Sequence, residues 1–249
     1  MLATAAVATR IHLDEPRLLS IWSSFEVLLN EPDQNDVRIL HFIRQLVPAV
    51  CLKYHRKLFA AVYGELSVAY GNAFSKIIWS TELKGRGAAI NRFAKLVILP
   101  EFEESRNKTL ALCGQFPLAL HRLYRLRHLY SRPKSVRDTL AGHANRVEWQ
   151  LHRIYRVRNS LVHAGVAPSY ADTLVRNAMD YFRSVVTNVT QVASREQGPS
   201  DLSLILSEIS LEWEMLLRKL SNSGSHFSDE LERFLIVLNR GGIPKRSPM

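Results

Sequence analysis

Arg158, Asn159 and His163 fall within one short run, Arg-Asn-Ser-Leu-Val-His, just before Gly165 and Pro168. Cutting RNA is a reaction that suits those three side chains. RNA carries its own nucleophile, the 2′-hydroxyl beside the scissile phosphate. Imidazole moves protons near neutral pH. A positioned guanidinium stabilises charge as it develops on the phosphate oxygens. No metal is required, and the products are a 2′,3′-cyclic phosphate and a 5′-hydroxyl. Both a base and an acid help this reaction, so a single histidine in the motif points to a symmetric dimer that brings two copies of it together.

The placement of Arg158 is unusual. Its helical neighbours three and four positions away are Ile154, Tyr155, Leu161 and Val162, all apolar or aromatic. Val147, Leu151, Ile154, Arg158 and Leu161 follow 4-3-4-3 spacing, that of a buried helix seam. Arginine keeps its charge in proteins, and a buried unpaired charge costs at least several kcal/mol. Arg158 therefore needs an anion, either a carboxylate on another helix or a ligand phosphate. Glu26, at the edge of the apolar face formed by Trp22, Phe25 and Leu29, is the candidate carboxylate. On the other side of the helix, His152, Arg156, Asn159 and His163 form a polar row. The plainer reading of the same spacing is a structural Arg–carboxylate pair with an exposed terminal histidine that favours the helix dipole. If the motif dimerises, the apolar neighbours of Arg158 are expected to pack against a second copy as well as the chain's own core.

The elements that must hold these residues read as helical almost throughout, which predicts an all-α fold: a multi-helix up-and-down bundle with an additional C-terminal helical hairpin. Helices are expected over 17–29, after Pro16, and over 36–70, with a kink or break at Pro48 and further punctuation at Gly71-Asn72. Others are expected over 89–99, stopped by Pro100, over 101–112 on a weak mixed-charge pattern, and over 118–130. The central helix spans 135–164 with Gly165 as its C-cap, and another spans 169–192. Ser194–Ser200 reads as a linker, followed by helices 201–220 and 228–239 and a disordered tail. The domain division is thus 14–192 for the bundle carrying the motif and 200–240 for a hairpin docked on it. Met1–Thr9 reads as a frayed tail, not a signal peptide.

Charge adds direction. The 249 residues carry a formal charge of +10. Ten Lys or Arg against Asp138 and Glu148 concentrate eight excess positive charges between Arg122 and Arg158. A field gathered in one segment is the footprint of a nucleic-acid partner, although a solvated basic face has the same composition. Arg153 and Arg156 beside the motif, with Arg125 and Tyr124 on the 118–130 helix, are the candidate RNA-binding residues. Cys51 and Cys113 lie in apolar runs and read as buried thiols of a reducing, cytoplasmic compartment. No apolar stretch approaches membrane-spanning length. Gly-rich phosphate loops, zinc-binding His-Glu-x-x-His and Gly-x-Ser-x-Gly elbows are missing, and the histidines do not cluster with carboxylates at metal-ligand spacing. Neither a metal nor another cofactor is expected.

Arg158-Asn159-x-x-x-His163 resembles the signature of the HEPN superfamily of helical RNA-cutting domains. The wider run Trp149 through Gly165, and Trp22, Phe25 and Glu26 in the first helix, are similar to the ApeA-like branch found among bacterial antiphage proteins. The resemblance implies a HEPN-like helical bundle that dimerises, with two motifs forming one composite site. It implies catalytic Arg158 and His163, Asn159 orienting the pair, and Glu26 supporting Arg158. One branch pairs with nucleotidyltransferase antitoxins that modify a tyrosine two residues after the histidine; here that position is Gly165.

The leading expectation is a metal-independent endoribonuclease of phage-defence or toxin–antitoxin type. Its partners would be RNA (tRNA, phage or host transcripts), a second copy of the chain, and an antitoxin or sensor. The alternative is a non-catalytic helical RNA-binding or dimerisation scaffold. A DNA-binding regulator ranks third, because no inter-helix turn suits a recognition helix.

Overall fold

Helical periodicity without strand-like alternation becomes an all-α architecture, and no strand occurs among the described residues. The computed structural model describes residues 14–29, 38–80, 89–165, 168–195 and 201–222. The N-terminal tail, the expected turns at 31–35 and 85–87, most of the 194–200 linker, the 228–239 helix and the C-terminal tail lie outside the described residues.

The helices are α1 (Asp14–Leu28), α2 (Arg38–Cys51), α3 (Tyr54–Ile78), α4 (Ala89–Ile98), α5 (Glu103–Leu112), α6 (Pro117–Leu129), α7 (Pro133–Ala164), α8 (Ala171–Ala193) and α9 (Leu202–Asn222). Single 3-10 turns, Pro100–Phe102 and Cys113–Gln115, flank α5. The chain divides into two compact units, each discontinuous in sequence. One takes Met1–Leu52 and Ala141–Glu214, the other Lys53–Leu140 and Met215–Met249.

The first unit carries the Arg158 motif. Its core is the apolar face of α1 packed on α8, with α2 on the same helix. Leu18, Ile21, Trp22, Phe25 and Leu28 are fully buried, and so are Val175, Ala178 and Val185 of α8. Phe25 meets Phe182 edge-on with ring centres 5.5 Å apart. Each of the larger of these side chains contributes about 1.5–3 kcal/mol by leaving water. Asn188 crosses this packing and donates its amide to the carbonyl of Ala49 at 2.6 Å, joining α8 to the end of α2. Just past the same end of α8, Arg195 pairs with Glu208 and with Glu212 (2.7 Å) of α9.

Pro48 neither breaks nor ends its helix where the sequence reading put the interruption. It lies inside α2, and the chain turns only at Leu52-Lys53. The Leu52 amide still bonds to the Pro48 carbonyl at 2.9 Å. A proline deprives one earlier carbonyl of its donor, here that of Arg44.

The second unit is built on α3, against which α4, α5 and α6 pack. Phe59 and Tyr130 lie with ring centres 4.5 Å apart, and Phe74 and Phe93 5.8 Å apart. Gly71, at φ 48° and ψ −120°, bends α3 in a conformation other residues rarely adopt. Residues 101–112, read from sequence as weakly helical, contain α5. Its buried Arg106 donates to the carbonyls of Leu96 and Leu99, both at 2.9 Å, and so caps the end of α4. Cys51 and Cys113 are both buried and both free thiols.

Candidate active site at the end of α7

Within the first unit, α7 keeps the spacing its sequence implies. Val147, Leu151, Ile154 and Leu161 are buried, and Arg158 stands among them with its side chain largely covered. These apolar residues are covered by the chain itself. The part of the seam formed by these residues packs on the chain's own core. The apolar side chain left exposed beside the motif is Val162.

Glu26 and Arg158, 132 residues apart, form an ion pair, Oε1 to Nη2, at 3.4 Å. The same carboxylate oxygen accepts the indole N–H of Trp22 at 3.0 Å, one helical turn earlier. The Trp22 ring in turn lies 5.4 Å from that of Tyr155, on the turn of α7 before Arg158. Arg158 Nη1 donates to the Asn159 side-chain oxygen at 3.1 Å. The guanidinium is thus held from two sides, and these contacts use two of its five N–H groups. At 3.4 Å the Glu26 contact is longer than a close charge-assisted bond, which lies near 2.8 Å. Glu26 orients and balances Arg158 without consuming its fork.

His163 occupies the last turn of α7 and is exposed, where a cation is favoured by the helix dipole. Gly165, at φ 64°, ends the helix, and its amide bonds to the Leu161 carbonyl at 3.1 Å. That is a left-handed cap of the kind glycine provides. Five residues of helix separate Arg158 from His163, which rotates them about 140° apart around the axis. One copy of α7 does not present both side chains on one face.

The candidate RNA-binding residues divide. Arg153 and Arg156 are exposed on α7, and Arg153 lies over the Tyr170 ring at 5.0 Å. Arg125 and Tyr124 are exposed on α6, in the other unit. Among the described residues, no group of three or more His, Cys, Asp or Glu side chains is gathered as a metal would need. A further concavity of the first unit lies between α2 and α9, lined by His41, Gln45, Ser203 and Ser210 among others. It shares no lining residue with the Arg158 group.

Two contributors escaped sequence reading. Trp22 and Tyr155 were legible as apolar packing, but not as the pair that fixes Glu26 beside Arg158. The signal was present, since Trp22 sits four residues before Glu26, the spacing at which helical side chains meet. No protein-family model, curated protein or solved structure matches the chain.

Proposed function

We propose that the chain is a metal-independent endoribonuclease of HEPN type, which cuts RNA by attack of the 2′-hydroxyl. The observation that carries this reading is the held guanidinium of Arg158, fixed by Glu26 and Asn159 five residues before an exposed histidine. In this reading Arg158 neutralises charge on the scissile phosphate. Asn159 and Glu26 fix its direction, and His163 moves the proton. The angular separation of Arg158 and His163 on one helix favours a composite site, in which the ends of α7 from two copies meet about a two-fold axis. Exposed Val162, beside His163, supplies apolar surface for that contact. Exposed Arg153 and Arg156 would hold neighbouring phosphates, and Arg125 with Tyr124 would be RNA contacts of the other unit.

The biological setting proposed is phage defence or a toxin–antitoxin pair in the cytoplasm, with an antitoxin or sensor restraining the dimer. The described residues contain no helix long and apolar enough to cross a membrane. Incubation with total RNA or tRNA in EDTA tests the reading: the wild-type chain should produce discrete fragments. A chain that binds RNA but leaves it whole would favour the scaffold alternative, in which Glu26–Arg158 is a structural pair.

A further inference from the structure

Trp149 is 68 % exposed on α7, unusual for the largest apolar side chain. Its helix position explains what surrounds it. Arg153, Arg156, Ser160 and His163 all fall within about 40° of Trp149 around the helix axis. All four are exposed. Arg158, by contrast, lies about 180° away, on the face the chain buries. Tyr170, itself exposed, adds a second ring to the same surface through its stacking contact with Arg153. Neither Arg153 nor Arg156 pairs with a carboxylate among the described residues.

We infer that this outward face of α7 is a track for unpaired RNA, with one base stacked on Trp149 and the backbone running along Arg153 and Arg156 towards His163. The inference rests on the ribonuclease reading and specifies its substrate as single-stranded. The occupant follows from the chemistry. Every base has a π-face that stacks on an indole, whatever the sequence, and guanidinium groups spaced along a groove or ridge follow phosphates. In a duplex the base faces are already stacked and cannot reach Trp149. The rise from Trp149 to His163 is about 21 Å, so the stacked base would lie several nucleotides from the cut. An exposed tryptophan among arginines that no described carboxylate neutralises is poorly suited to a solubilising face, and the charge disfavours a basic or apolar protein partner.

The test measures binding of a short, labelled 2′-O-methyl oligoribonucleotide to the full chain, single-stranded or annealed to its complement. Methylation removes the nucleophile, so binding is read without cleavage. Trp149→Ala should bind the single strand roughly tenfold more weakly and leave duplex binding unchanged. Trp149→Phe should recover most of the loss. Arg153→Ala should lower the salt dependence of binding by about one phosphate contact, which Trp149→Ala should not. Equal single-strand binding by wild type and Trp149→Ala overturns the inference, as does equal preference for strand and duplex. Cleavage of unmodified RNA is scored separately. Trp149-dependent binding without cleavage would leave the track standing and remove the ribonuclease reading.

Discussion

Arg158 is held by neighbours that can be removed singly. Its side chain is 26 % exposed and that of Glu26 18 %. The pair therefore lies between a surface ion pair, worth at most about 1 kcal/mol, and a buried one, whose disruption costs about 3–5 kcal/mol. Glu26→Ala should lower unfolding free energy by about 1–3 kcal/mol in urea denaturation. Trp22→Phe keeps the ring packing but removes the indole donor, and should cost about 1 kcal/mol. If Trp22 acts by orienting Glu26, the two losses will couple, and Trp22→Phe will cost much less in the Glu26→Ala background. Strict additivity would mean that the indole and the carboxylate act independently. The Glu26–Arg158 pair was legible because each charge sits beside an apolar stripe and arginine cannot escape ionisation. The indole hydrogen bond was not, because periodicity reports which way a side chain points and not where its one polar atom is spent.

At the level of elements, the end of α7 depends on Gly165. At φ 64° any other residue is strained, although no atom lies within 4 Å of where a Cβ would be. Gly165→Ala should therefore cost about 1 kcal/mol through the backbone alone. It should also loosen the turn that carries His163, so cleavage should fall while the thermal midpoint moves little. The start of α9 makes a pH-dependent prediction. The Asp201 carboxylate accepts from the Ser203 hydroxyl and from the amides of Leu204 and Ser203, which hold its pKa below the usual aspartate value. A carboxylate depressed in the folded state stabilises above its unfolded pKa, and that stabilisation is lost as pH falls through the depressed value. Asp201→Asn keeps a good cap but cannot titrate. The stability difference between wild type and Asp201→Asn should shrink on acidification from neutral pH, as followed by helix melting in circular dichroism. A difference that stays constant with pH would remove Asp201 as the cause. Helix positions along the chain were readable because apolar spacing and caps are local. The helix end after Pro48 was not, since a proline in a helix removes one hydrogen bond, and whether the helix continues depends on the packing around it. The division into two discontinuous units was not legible either, because it depends on which helices meet, and one helix face looks like another in sequence.

For the whole molecule, the proposed composite site needs two copies of the chain. Its remaining apolar surface at the motif is Val162, half-exposed one residue before His163. Val162→Asp should convert a species of two-chain mass into one-chain mass in sedimentation, and abolish cleavage without altering helix content. Full activity at one-chain mass would contradict the composite site. The proposed chemistry and its need for a second copy both start from three residue types in the sequence, and the turn of α7 between Arg158 and His163, about 140°, agrees with that need. The most direct measurement is end-group analysis of RNA incubated in EDTA with wild-type chain and with His163→Ala. The account predicts 2′,3′-cyclic phosphate and 5′-hydroxyl ends from the wild type, and intact RNA from a His163→Ala chain that remains folded. Equal cleavage by His163→Ala, or fragments bearing 5′-phosphates, would contradict it.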